Sequence, residues 1–312
     1  MSADMLNDTG PVGGDPVSRR RLSFVTAADV AAPRRRGWRS FLAIPQGGFG
    51  VALLLLLLLL VVIGPFVAPD SPNEISDQPI LGPSAEHWLG TDAYGRDILS
   101  RVLHGGASVI LLPLLAVSAA MVVATLVGLV SGYLGGKVDS VVTWVINIAL
   151  AIPSYLAVLV VVAAFGGGGA VVVTAVAVVY APYITRVIRS STQAVAPREF
   201  VLAARARGES LGWILFREIT PNIGPTLLVE IALRFTYAIM FIASLSFLGL
   251  GVQPPSSNWG VMVAQNRALL LVSPVGVLVP ALMIGVLAIA VNLIADALTQ
   301  FFGDRIHERL MV

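Results

Sequence analysis

The sequence predicts an all-α fold, in which a polytopic membrane protein crosses the bilayer with six transmembrane helices. Of its 312 residues, 56% are hydrophobic and 12% are charged, whereas a soluble domain is about 25% charged. Apolar stretches recur along the chain, and each is long enough to cross the ~30 Å of hydrocarbon in a bilayer. The chain contains no cysteine, which excludes disulfides, cysteine-based metal sites and thiol chemistry.

The apolar pattern places the spans along the chain. In the first span, residues 53–60 are an unbroken run of leucines, and Pro69 follows its end. The third span is the least regular, because Pro153 interrupts it and predicts a kink that neighbouring helices would tolerate. The predicted spans cover about residues 49–67, 107–133, 138–165, 170–188, 225–249 and 274–302, within a transmembrane domain at 47–303.

Residues 1–46 differ from the rest of the chain. They are polar, rich in Gly, Pro, Asp and Arg, and they include arginine triplets at 19–21 and 34–36. Since so few apolar residues cannot build a core, we predict a largely disordered tail at an anionic membrane surface. The twin arginines also suggest an export signal, but the apolar run that follows is too distant and too long for a signal peptide.

The distribution of basic residues predicts the orientation in the membrane. Six spans place both termini, the loop at Gly135 and residues 196–222 on one side, and that side collects most of the Lys and Arg. The other side holds Arg96, Arg101 and Arg267. By the positive-inside rule the termini are cytoplasmic, including the C-terminus at 304–312, and the loops at 70–106 and 251–273 face outward.

Residues 196–222, called the elbow below, form a charged segment between two apolar spans. Such a segment cannot lie in hydrocarbon, where an Arg costs at least ~2.5–3.5 kcal/mol. Gly208 is a typical C-terminal helix stop, Ser210 can cap a second helix, and Pro221 is expected to end that helix. The pattern predicts a helix–Gly–helix elbow, with an ordinary amphipathic surface loop as the alternative.

The residues argue against an intrinsic enzyme. The three histidines, His87, His104 and His307, all lie in or next to loops, and no HExxH, GxSxG or P-loop motif occurs. A membrane-embedded enzyme would need a nucleophile–base or metal constellation inside its spans. We therefore predict a transport or binding role without catalytic residues, metal site or cofactor in this chain.

Ionisable groups inside the spans would mark an ion-coupled secondary transporter. Glu230 and Arg234 are spaced i, i+4, so they can neutralise each other on one helix face. We favour this structural pairing and keep the six-span, ion-coupled carrier as the alternative class. The intramembrane polar residues considered for this role are Asn147, Glu230, Arg234, Asn292 and Asp296.

The elbow resembles the EAA motif of ABC importer permeases. Ala203-Ala204, Gly208 and Pro221 fall at the matching spacing, whereas Leu202 stands where the motif has Glu. The motif also has an apolar residue at position 218 and Leu at position 220, where this chain has Glu and Thr. Residues 87–101 and 246–260 resemble further signatures of the dipeptide/oligopeptide permeases, a family that also includes nickel and glutathione importers. The likeness covers about residues 40–302 and points to a C-type transmembrane subunit.

The resemblance implies a type I importer architecture in a prokaryotic cell membrane. Its expected partners are a homologous second permease, forming a heterodimer, two ATPases that hold ATP and Mg, an extracytoplasmic binding protein and membrane lipid, with no nucleic acid. The elbow would dock in an ATPase cleft, and Leu202 would remove one cross-subunit ion pair. The predicted coupling residues are Leu202, Ala203, Ala204, Arg205, Arg207, Gly208, Glu209 and Pro221.

The outward loops allow two interpretations. They form part of the surface that meets the binding protein, or they are a cap that packs on the spans with Asp97 and Arg101 paired at i, i+4. The residues concerned are Asp92, Arg96, Asp97, Arg101, Gln253 and Trp259. The resemblance favours dipeptides or oligopeptides as substrate, with nickel or glutathione as alternatives. The lack of a His/Cys cluster in the spans disfavours a dedicated metal path.

Overall fold

The structure, a computed structural model, describes the backbone of residues 38–310 and the side chains of residues 40–303. The predicted tail at 1–46 therefore lies mostly outside the described residues. In the part of the chain that is described, all regular elements are helices, and β pairing is limited to a single antiparallel bridge between Thr91 and Asp97. This confirms the predicted all-α fold.

The helices follow one another with short breaks. Two helices precede the long loop at 70–97, four form the middle of the chain, and two short ones belong to the elbow. A six-residue π-helix, Ile214–Ile219, joins the second elbow helix to the next long helix without interruption. The helices are α1 Trp38–Leu42, α2 Pro45–Val67, α3 Ile98–Leu134, α4 Gly136–Ala151, α5 Ser154–Phe165, α6 Gly169–Val195, α7 Glu199–Ala206, α8 Leu211–Trp213, α9 Thr220–Phe247, α10 Trp259–Asn266 and α11 Val275–Leu310.

Five stretches of the described chain are long and apolar enough to cross a membrane: α2, α3, α6, the run Leu211–Phe247, and Val275–Gly303 of α11. The predicted third span, 138–165, is instead two helices, α4 and α5, bent by 82°. Ile152 adopts an extended conformation before Pro153, because a proline disfavours the helical region for the preceding residue. Counting this bent pair as one span gives the predicted six.

Two helices extend beyond the predicted spans. The second span, predicted to begin at residue 107, begins at Ile98, since the Asp97 side chain accepts a 2.7 Å hydrogen bond from the Ser100 N–H and caps the helix. At the other end of the chain, the backbone stays helical to Leu310, so the predicted C-terminal segment 304–312 begins as a continuation of α11.

The prediction that Pro221 ends the second elbow helix is wrong. Pro221 lies in the first turn of α9, and the helix continues to Phe247. A proline inside an α-helix collides with the carbonyl four residues earlier. Here the preceding turn is a π-helix, whose bonds reach back five residues, as from the Thr220 N–H to the Leu215 carbonyl. The wider turn accommodates the proline, and the elbow runs directly into the fifth span.

Close backbone contacts hold the bundle together. A Cβ on Gly132 of α3 would lie 2.7 Å from the carbonyl oxygen of Arg189 on α6, so these helices pack at a distance that only glycine permits at this point. A cluster of buried apolar side chains surrounds Trp259, which is fully buried between α2, α3 and α11. Its indole N–H donates a 2.9 Å hydrogen bond to the Val102 carbonyl, which satisfies its buried donor.

Candidate functional site

The turn of the elbow is built around Gly208, as predicted. Its φ is 79°, in the left-handed region that glycine adopts without a Cβ penalty. The Gly208 N–H donates to the Arg205 carbonyl at 3.0 Å, and the Glu209 N–H donates to the Ala204 carbonyl at 3.2 Å. These two bonds satisfy the last carbonyls of α7. The chain therefore turns sharply at Gly208, without a flexible loop between the two arms.

The second arm of the elbow begins at Ser210. The Ser210 hydroxyl accepts a 3.3 Å hydrogen bond from the Trp213 N–H, which confirms the predicted N-cap. From there the chain is helical through the π-helix and α9 to Phe247. This arm is therefore continuous with the fifth span.

One face of the elbow is buried against the bundle. Val201 and Ala204 of α7 pack in the same core as Ile214 and Ile219. Ala204, predicted to contact an ATPase, thus faces the interior. The other predicted coupling residues lie at the surface: Leu202, Ala203, Arg205, Arg207, Gly208 and Pro221 are exposed and Glu209 is half-buried. Apolar side chains are prominent among them, since Leu202 is 52% exposed.

A cluster of side chains bridges the two arms. The Arg207 guanidinium lies 3.6 Å from the Glu209 carboxylate and 3.7 Å from the Glu218 carboxylate. It also lies 5.9 Å from the ring centroid of Trp213, within range of a cation–π contact. Sequence reasoning noted Glu218 only as a departure from the motif and missed Trp213. The pairing of Glu218 with Arg207 accounts for a charge where the motif is apolar.

The loop cap, defined as residues 70–97 and 251–259, packs on the opposite end of the bundle. Five of the six predicted contact residues lie in the loop cap, and Arg101 lies in the first turn of α3. Gln253 is exposed, whereas the others are buried: Asp92, Arg96, Asp97, Arg101 and Trp259. Their side chains are held inside the protein, so their arrangement matches the interpretation of this region as a cap. Gln253 is the exposed member of the set, and its side-chain amide donates hydrogen bonds to the Gly249 and Gly251 carbonyls.

One arginine of the loop cap and one of α3 share a carboxylate. Arg96 Nε donates a 2.8 Å hydrogen bond to Asp92 Oδ2, and Arg101 Nε lies 3.7 Å from the same oxygen. Gln265 Oε1 accepts from both guanidinium groups, at 2.9 and 3.3 Å. The predicted pairing of Asp97 with Arg101 is therefore wrong. Asp97 is occupied as the N-cap of α3, whereas Arg101 turns toward Asp92.

His87 completes a group that sequence reasoning did not assemble. One ligand atom each from Asp70, His87 and Asp97 lies within 4.8 Å of the others, a donor set that suits a divalent cation. His87 Nδ1 is already within 3.1 Å of Asp97 Oδ1, so hydrogen bonding satisfies the imidazole without an ion. The group ties the loop cap to the first turn of α3.

The intramembrane polar residues divide into paired and surface groups. Arg234 Nε donates a 2.9 Å hydrogen bond to Glu230 Oε2, which confirms the predicted i, i+4 pair. Asn147, Asn292 and Asp296 are exposed on their helices. A second pair, Arg189 with Asp139, joins α6 to α4 through two hydrogen bonds. Sequence reasoning did not find this pair, because its two residues lie on different helices.

A family model ties these features to known proteins. Residues 124–308, which include the elbow, match the family described as "Binding-protein-dependent transport system inner membrane component". The chain belongs to this family. As a member of the binding-protein-dependent inner membrane components, it is a multi-pass inner membrane protein and a transport subunit, and it works in a system that includes a binding protein and an ATPase.

Curated relatives of this family member match most of the chain. The Dipeptide transport system permease protein DppC of Alkalihalophilus pseudofirmus is 35% identical over 86% of this chain and 89% of that protein. The Glutathione transport system permease protein GsiD of Pectobacterium atrosepticum is 35% identical over 91% of this chain and 95% of its own length. The Probable D,D-dipeptide transport system permease protein DdpC of Escherichia coli is 36% identical, with coverages of 78% and 83%.

A solved structure shares the fold. A chain of the MetNI methionine ABC transporter, in an inward-facing conformation, superposes with a TM-score of 0.50. The sequences are 16% identical, and the match covers 64% of this family member and 96% of the MetNI chain. The likeness confirms the predicted importer-permease architecture and carries no information on substrate.

Proposed function

We propose that this chain is the transmembrane permease subunit of an ATP-driven importer that takes up dipeptides or oligopeptides delivered by an extracytoplasmic binding protein. The observation that carries the proposal is the elbow. It is a closed Gly208 turn with an exposed outer face, and its second arm is one continuous helix with the fifth span. Such an element transmits motion from a cytosolic partner to the membrane region as a rigid body.

The partner at the elbow is an ATPase subunit, which binds ATP with Mg and hydrolyses the ATP, so that neither is bound by this chain. Two such ATPases and a homologous second permease complete the complex as a heterodimer. Leu202 occupies the position of the motif's Glu and is exposed, as are Phe200, Leu211 and Phe216. Docking therefore rests on shape and apolar contact, with Arg205 and Arg207 supplying charge.

The proposed topology follows from the basic residues. The elbow and both termini are cytoplasmic, with the tail at 1–46 and the C-terminus at 304–312 flanking the membrane domain at 47–303. The loop cap faces outward, toward the binding protein, and Gln253 is its exposed contact residue. The complex lies in the cell membrane of a prokaryote, surrounded by lipid, with no nucleic-acid partner.

Peptides are the proposed substrate because two of the named relatives carry dipeptides in their names. Glutathione is the second candidate, favoured by the 35% identity to a glutathione permease subunit. An ion-coupled carrier is disfavoured, because Glu230 and Arg234 neutralise each other and leave no free charge on that helix face to carry a coupling ion.

The test is transport in vesicles. The full-length chain is purified from membranes with its accompanying subunits and reconstituted into vesicles. These vesicles are loaded with ATP. We expect uptake of a labelled dipeptide that needs ATP hydrolysis and persists with a protonophore. Labelled glutathione in place of the dipeptide separates the two substrates. Uptake that collapses with the protonophore at constant ATP would instead identify an ion-coupled carrier.

A further inference from the structure

A groove of about 500 Å³ lies between α3, α4 and α6. Valine and alanine dominate its walls, among them Val123 and Val127 of α3, Val141 and Val145 of α4, and Val178 of α6. All five of these valines are exposed, so the groove opens sideways along the surface of the spans. Its shape and polarity suit a hydrocarbon chain.

One end of the groove is charged. On α6 the lining ends at Thr185, and Arg186 and Arg189 occupy the next turn. On α4 the lining begins at Val141, and Lys137 lies one turn before it on the same face. Two helices thus carry basic residues just beyond the apolar walls.

The charged ends lie at the same depth in the bundle. Arg189 of α6 binds the Asp139 carboxylate of α4 through two hydrogen bonds, the one from Nη2 being 2.6 Å long, and Gln193 adds a third at 3.3 Å. This pair neutralises Arg189. Lys137 and Arg186 are exposed and have no ion pair within the described part of the chain. Two uncompensated cations therefore flank the mouth of an apolar groove.

We propose that this groove binds an anionic phospholipid, with one acyl chain between α3, α4 and α6 and the phosphate head group beside Lys137 and Arg186. Basic pockets between transmembrane helices are suited to such head groups. The alternative occupant is a helix of another permease subunit, which would cover the apolar walls; the two cations beside the groove favour the lipid, because they complement a phosphate. Because α6 leads directly into the elbow, the lipid would lie next to the proposed coupling segment.

Lipid binding can be measured directly on the full-length chain, purified from membranes with its accompanying subunits. Native mass spectrometry would compare phosphatidylglycerol with phosphatidylcholine of the same acyl chains. We expect a preference for phosphatidylglycerol that falls roughly 5-fold in Lys137→Gln or Arg186→Gln and roughly 25-fold in the double variant. Val145→Trp fills the groove and should lower the binding of both lipids.

The control is Arg217→Gln, which removes an exposed charge in the elbow, outside the groove, and should leave the preference unchanged. An undiminished preference in the Lys137→Gln/Arg186→Gln variant would overturn the proposal. A photo-cross-linker placed at Val145 adds a second readout. Capture of phosphatidylglycerol supports the site, whereas capture of a protein subunit would assign the groove to a subunit interface.

Discussion

Arg207 and Glu218, on opposite arms of the elbow, lie 3.7 Å apart across the Gly208 turn. The same guanidinium contacts Glu209 in the turn and the ring of Trp213 in the second arm. Side chains therefore reinforce a turn that is already closed by two backbone hydrogen bonds. This explains how a short helix outside the spans keeps a defined position relative to the fifth span.

The Arg207–Glu218 contact should couple weakly. Because Arg207 is about half-exposed, we expect an interaction free energy of ~0.2–1 kcal/mol, typical of surface ion pairs. A double-mutant cycle of Arg207→Ala and Glu218→Ala, read from thermal unfolding of the purified complex, measures it. The matched cycle pairs Arg205→Ala with Glu218→Ala and should be additive. Additivity in both cycles would show that the Arg207 contact contributes nothing.

Gly208 should be required for coupling and not for insertion. Any other residue at its φ of 79° is strained by about 1–2 kcal/mol, and Asp adds a charge to the docking face. We expect Gly208→Asp to abolish ATP-dependent peptide uptake while the complex still assembles in the membrane. Gly212→Asp is the matched control, since Gly212 lies in the same elbow with open space around it. Retained uptake in Gly208→Asp would disprove the coupling role.

Arg101 should stabilise the packing of the loop cap on α3. It is 0% exposed, and its removal leaves the Asp92 charge buried with fewer partners. Asp92 keeps Arg96 as its partner, so the cost comes mainly from the Pro72 and Ser256 carbonyls that lose their Arg101 donor, at about 1–3 kcal/mol. We expect Arg101→Met to lower the unfolding temperature and the yield of inserted protein. Arg267→Met removes an exposed arginine and should change stability little, whereas equal effects of the two variants would refute the structural role of Arg101.

Gly105 should not tolerate a side chain. A Cβ there would lie 2.1 Å from the Ser257 carbonyl oxygen and 2.8 Å from Trp259 Cδ1. Gly105→Ala must displace the loop cap, and overpacking of this kind costs about 1–3 kcal/mol. Gly285→Ala, in α11 with open space around its Cα, is the control. Equal thermal stability of the two variants would contradict the close packing of α3 against Trp259.

The local features of the candidate site were readable from the residues alone. Gly208 as a helix stop, Ser210 as a cap and Glu230 with Arg234 as a pair all depend on neighbours within four positions of the chain. Helix ends and i, i+4 contacts obey the same geometry in any helix. The structure reproduces each of them.

The features that sequence reasoning missed depend on residues far apart in the chain or on competition between nearby partners. Asp92 holds Arg96 and Arg101 together with Gln265, and Asp139 meets Arg189 on another helix. Asp97 and Arg101 have the spacing of an ion pair, but Asp97 is engaged as a helix cap. The Pro221 error has a similar origin, because a π-helix before it changed the effect of a proline.

The sequence by itself determined the all-α membrane fold, the positions of most spans and the family, because hydrophobic length, glycine and proline chemistry and motif spacing act locally. Only the tertiary structure decided that α4 and α5 bend by 82°, that five of the six predicted contact residues at the loop cap are buried, and that the elbow and the fifth span are one helix. These outcomes depend on which helices pack together and on which partner a shared charge reaches first, and neither is encoded in a short stretch of chain.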